Sequence, residues 1–121
     1  MKIRSLAALV LAMLVAGLVT AGAEEKFGVK VYDGAKYDAD TSQFLATQLK
    51  VDGACYRTDA TVAQVNEFYK KQPGVKEIDT HATGGMFKKG GVNITVQSPW
   101  MSMKTGQHMK DTLISIVKAG Q

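Results

Sequence analysis

Val62, Val65, Phe68 and Tyr69 constrain this chain most, because they recur at the spacing of one face of an α-helix. The apolar stripe they form must be covered by another layer. Thr58 or Asp59 is expected to cap the first backbone N–H groups of this helix. Lys70 and Lys71 stand at the negative end of its dipole, and Pro73-Gly74 stops it, which predicts a helix over 59–71. After Gly74 the apolar period falls from about 3.6 to about 2. Val92, Ile94 and Val96 alternate with Asn93, Thr95 and Gln97, so one side of a strand is buried and the other wet. A chain with both signals folds as a helix laid on a sheet.

The remaining segments fill in that sheet. Val51–Arg57 reads as a strand, and Val75 and Ile78 mark another up to about His81. Gly84-Gly85 is expected to turn into the strand Met86–Lys89, and Gly90-Gly91 is a hairpin signal. Residues 111–118 fit either period, and the β-branched Thr112, Ile114, Ile116 and Val117 favour a strand. A short second helix is expected at 40–49, with Asp40, Thr41 and Ser42 as N-cap candidates and Phe44, Leu45 and Leu49 on one face. Residues 24–37 read as an N-terminal arm or edge strand. The expected fold is α+β: a small, mostly antiparallel sheet packed against one main helix, in a single domain over 38–121.

The N-terminus is a different kind of segment. Lys2 and Arg4 precede an uncharged apolar run from Leu6 to Val19, and Ala21-Gly22-Ala23 supplies the small residues of a signal-peptidase site. The run is short for a membrane span, and no Cys follows it as in a lipoprotein. Residues 1–23 are therefore expected to be a signal peptide cleaved after Ala23, leaving a periplasmic or secreted protein with no stable membrane anchor. Cleavage removes two basic residues and halves the formal net charge of +4 carried by the 121-residue chain.

Few residues offer chemistry. Cys55 is the only cysteine, so an intrachain disulfide and a multi-thiolate zinc site are both excluded. It reads as a small buried residue of its strand, with an intermolecular disulfide or a nucleophile paired to His81 or His108 as the other readings. Asp33, Asp38 and Asp40 lack the spacing of a calcium loop and suit turns and caps. Lys70-Lys71 and Lys88-Lys89 read as two basic pairs rather than a patch, so nucleic acid is not an expected partner. Asn93-Ile94-Thr95 is a glycosylation sequon only in a eukaryotic secretory route. No phosphate loop, metalloprotease helix or nucleophile elbow occurs, so no catalytic residue and no cofactor is assigned.

Two resemblances add to this reading. Trp100-Met101-Ser102-Met103 resembles the metal-binding loop of periplasmic copper-efflux metallochaperones. That likeness implies a soft-metal site, Cu(I) above all, at Met101 and Met103, with His108 or Met109 as a further ligand. An extended segment points Met101 and Met103 to one face, and Trp100 could lie over the cation. More of the chain, roughly 30–118, resembles a set of small exported bacterial α+β domains of unknown function. The likeness rests on Tyr32-Asp33-Gly34-Ala35-Lys36, Tyr56-Arg57-Thr58-Asp59 and the Val62-x-x-Val65-x-x-Phe68-Tyr69 helix. It implies an exported, non-enzymatic module that binds a protein or small-molecule ligand or associates with the envelope, with soft-metal binding as the alternative.

Overall fold

A computed structural model describes residues 24–119, and the expected signal peptide lies outside the described residues. In chain order the elements are β1 (Glu25–Lys26), β2 (Val29–Lys30), β3 (Lys36–Tyr37), α1 (Ala39–Gln48), β4 (Gly53–Thr58) and α2 (Val62–Lys70). They continue with β5 (Lys76–His81), β6 (Gly84–Lys89), β7 (Val92–Gln97), β8 (Trp100–Met101), β9 (His108–Met109) and β10 (Thr112–Lys118). Six strands form one antiparallel sheet in the order β3-β4-β10-β7-β6-β5, while β1-β2 and β8-β9 are separate short ribbons. The fold is α+β, with α2 packed against a mostly antiparallel sheet, as the patterning predicts.

The apolar stripe of α2 does the packing. Val62, Val65 and Tyr69 are buried against Ala54, Tyr56, Phe87, Ile94, Ile114 and Ile116 of the sheet. Burying such side chains contributes about 1.5–3 kcal/mol each, which is what holds the two layers together. The helix begins later than 59, and its cap is Thr61 rather than Thr58 or Asp59. Thr61 Oγ1 accepts from Gln64 N at 3.1 Å and Gln64 Oε1 accepts from Thr61 N at 2.9 Å, a reciprocal capping box. Thr58 instead turns the chain out of β4, its Oγ1 accepting from Ala60 N.

Residues 24–37 supply a ribbon and an edge strand. Phe27 and Gly28 both have positive φ, so the chain reverses between β1 and β2 within two residues. Val29 and Val31 enter the main core, and the Tyr69 hydroxyl donates to the Lys30 carbonyl at 2.8 Å, tying the ribbon to α2.

β10 lies between β4 and β7 and is covered on both faces. Ile114 and Ile116 face the α2 side, while Leu113 joins Cys55 and Trp100 on the other, where Leu45 and Met109 close over them. A strand buried on both faces loses the alternation of a half-wet one, which is why 111–118 read at either period.

Three local expectations are corrected. The cap of α1 is Asp38, two residues before the nearest residue expected, and its carboxylate accepts from Thr41 N at 3.2 Å. The buried residues of α1 are Thr41 and Ser42, and Leu49 is 54% exposed. Gly84 and Gly85 do not turn; they lie in β6, and Ala82-Thr83 makes the reversal. Gly85 is there because α2 comes so close: a Cβ on it would stand 2.2 Å from Asn66 Oδ1.

Candidate functional site

The residues with chemistry gather where β3, β4 and β10 meet the start of α1. β4 has only Lys36 and Tyr37 of β3 beyond it, so its outer backbone groups need other partners. α1 supplies them: Asp38 N donates to the Cys55 carbonyl at 2.8 Å, and Ser42 Oγ accepts from Cys55 N at 2.8 Å. This explains why α1 buries a serine, Ser42, at the joint.

Cys55 is fully buried in that joint, with Ser115 Oγ 3.4 Å from its sulfur. Burial pushes its thiol pKa up, and the negative charge of Asp38 adds to the rise against a smaller opposing effect of the Ser115 hydrogen bond. A protonated, enclosed thiol packs as a small apolar group and is a poor nucleophile.

Arg57, one register step from Cys55 and facing the same way, is held from several sides. Its Nε donates to Asp111 Oδ2 at 2.7 Å, and its Nη1 lies 3.8 Å from Asp38 Oδ1. Its guanidinium centre stands 5.1 Å from the Trp100 ring centroid, within cation–π range. Asp111 completes the lock, because Oδ1 accepts from Trp100 Nε1 at 3.0 Å while Oδ2 serves Arg57. The hydrogen bond to Asp111 raises the Arg57 pKa further above its ordinary value, so this cation is fixed in charge as well as position.

The other side of Arg57 opens into a cleft of about 370 Å³ lined by Lys36, Tyr37, Asp38, Asp59 and Asp111. Lys36 is the direct cross-strand partner of Arg57. Like charges directly opposite on antiparallel strands disfavour the pairing. Asp111 and Asp38 offset that repulsion at the base of the cleft, and the exposed Asp59 adds a carboxylate at its rim. The cleft thus presents both signs of charge beside the exposed ring of Tyr37, which is 59% accessible.

The Trp-Met segment is rearranged relative to the expectation. The extended run stops at Met101, and Met103 lies in the turn that follows, where it faces Phe44 and Thr47 of α1 across a shallow groove. Met101 instead pairs across the β8-β9 ribbon with His108. Trp100 and its partner Met109 turn inward, so Met101 and His108 share the outer side, both exposed. Trp100 is buried against Arg57 and Leu113, away from that outer side. Among the described residues no three His, Cys, Asp or Glu side chains are grouped to hold a metal ion.

Arg57 and Asp111 were not marked as site residues by sequence reasoning. The available signal was that Arg57 is the lone arginine of residues 24–119, placed at the end of an apolar strand. No family model, curated protein or solved structure matches this chain.

Proposed function

We propose that this chain is a non-enzymatic binding module of the bacterial envelope, acting after export, and that it takes a small ligand in the cleft beside Arg57. One observation carries the reading. Lys36 and Arg57 oppose each other across β3 and β4 at a cost to strand pairing, and Arg57 is locked by Asp111, Asp38 and Trp100 with the cleft in front of it. A preoriented cation loses little entropy on binding a carboxylate. Asp59 on the rim suits an ammonium or amide, so the ligand class that fits is a small zwitterion such as an amino acid or dipeptide. The enclosed, protonated thiol of Cys55 supports a binding role over a catalytic one.

Trp100 is the only tryptophan and touches Arg57, so its fluorescence reports on the cleft. Titration with free amino acids and dipeptides should give a saturable change, with acetate and methylamine, each carrying one charge, binding more weakly. Lys36→Gln should weaken the response. A flat signal with every probe would rule the reading out.

A second reading, soft-metal binding, is favoured by the register that sets Met101 opposite His108. A thioether and an imidazole on one exposed face suit Cu(I). Anaerobic Cu(I) titration against a competing chelator tests it. Retention should fall with Met101→Leu and with His108→Gln, and retention by both variants equal to that of the parent excludes this face.

A further inference from the structure

The sheet carries its charge unevenly. At the end marked by the Gly90-Gly91 turn, Lys89 and Lys118 both pair with Val92, so they stand on the two strands flanking one residue. Lys76 and Lys88 oppose each other directly on β5 and β6. The β1-β2 ribbon folds onto the same end. Lys26 and Lys118 place their ammonium groups 4.8 and 5.3 Å from the Phe27 ring centroid, and Lys89 Nζ donates to the Gly28 carbonyl at 2.8 Å. Lys30 shares a cavity there with Lys89 and with Gln72 and Pro73, which follow α2. The Lys70-Lys71 and Lys88-Lys89 pairs, separate in the sequence, are thus brought to one end, since Gly74 lies against the Lys89 side chain. The acidic groups close by are fewer. Glu25 pairs with Lys30, Glu77 accepts from Thr80, Glu67 pairs with Lys71, and Asp52 adjoins Lys118 through its backbone.

We propose that this lysine rim is a docking surface for an anionic phospholipid bilayer. It lies at the opposite end of the strands from the Arg57 cleft, so docking there leaves the cleft facing away from the membrane. Several features favour a bilayer over a nucleic acid. The rim is built from lysines alone, and the single arginine of residues 24–119 is at the far end. Guanidinium forks are the groups that read phosphates and bases with directed hydrogen bonds. Lysines on long stems around a blunt end suit a diffuse layer of negative headgroups. The Phe27 ring, with lysines over it, is not free to stack on a base.

The test is co-sedimentation with vesicles of phosphatidylcholine alone and of phosphatidylcholine mixed in equal parts with phosphatidylglycerol. Binding should require the anionic lipid and fade as salt is raised, because the Debye length shortens. Lys76 and Lys88 are exposed and repel each other, so Lys76→Gln with Lys88→Gln should fold normally. At about five-fold per neutralised lysine near the surface, that pair should weaken binding about 25-fold. Lys104→Gln with Lys110→Gln makes the same change in net charge at the other end and should leave binding unaltered. The proposal is overturned by no binding to the anionic vesicles at low salt, or by equal loss in both double variants. It is also overturned by tighter binding to a DNA duplex than to the vesicles at matched phosphate.

Discussion

Arg57 and Asp111 join the outer end of β4 to the residue just before β10, with Nε and Oδ2 2.7 Å apart. The same carboxylate holds the Trp100 indole, so one aspartate fixes both the cation and the ring it stacks on. Asp111→Ala removes two hydrogen bonds, one of them to a charged group, and should destabilise by about 2–3 kcal/mol in urea unfolding. The Trp100 emission maximum should move in the folded variant as its indole loses its partner. An unchanged emission maximum would mean that Asp111 does not hold the ring.

The start of α2 depends on Thr61. Thr61→Ala breaks the capping box with Gln64 and should cost about 1 kcal/mol, while Asp59→Ala should change stability by less than about half of that. Chemical denaturation of the two variants side by side separates the caps. Equal losses would return Asp59 to the helix terminus.

Gly85 and Asn66 form a second tight joint. Asn66 is buried, its Nδ2 donates to the Gly84 carbonyl at 3.2 Å, and its Oδ1 occupies the space that a Gly85 side chain would need. Gly85→Ala should cost about 1–3 kcal/mol by overpacking. In an Asn66→Ala background the same substitution should cost much less, and a double-mutant cycle measures the difference. Additive losses would show that the two residues do not meet.

Alkaline pH should unfold the protein earlier than its composition suggests. Burial raises the pKa of Cys55 from its ordinary 9.0 and pushes Tyr56 up to about 12, with the charge of Glu24 adding to the Tyr56 shift. Burial moves Tyr69 the same way, and its hydroxyl donates to Lys30. The folded chain keeps protons that the unfolded chain releases, so the unfolded state binds fewer protons and stability falls as pH rises. The contribution of these groups is complete below pH 9.0 and declines above it, the Tyr56 part being lost by about 12. The urea midpoint should decline through that window, and Tyr56→Phe should flatten its upper part. A Tyr56→Phe profile that superimposes on the parent would contradict the assignment.

The parts of the fold that follow one period were legible from residues alone. Val92, Ile94 and Val96 bury as alternation requires, and Val62, Val65 and Tyr69 bury as one helical stripe. What was not legible depended on partners distant in sequence. Ser42 is buried because the edge of β4 needs hydrogen-bond partners, and nothing local to α1 announces that. Gly85 reads as a turn residue until Asn66 is seen to fill its side-chain space. The site behaves the same way. Met101 and His108 become neighbours only through the reversal at residues 103–106, and Arg57 meets Asp111 and Trp100 only once β10 lies beside β4.

The central claim is that the cleft between Lys36 and Arg57 binds a small zwitterion, and an amide-resolved NMR titration of residues 24–121 with amino acids and dipeptides tests it most directly. Saturable shifts confined to Lys36, Tyr37, Arg57, Asp59 and the Trp100 indole are the predicted result. An absence of saturable shifts at those positions, or shifts centred on another face, would contradict it.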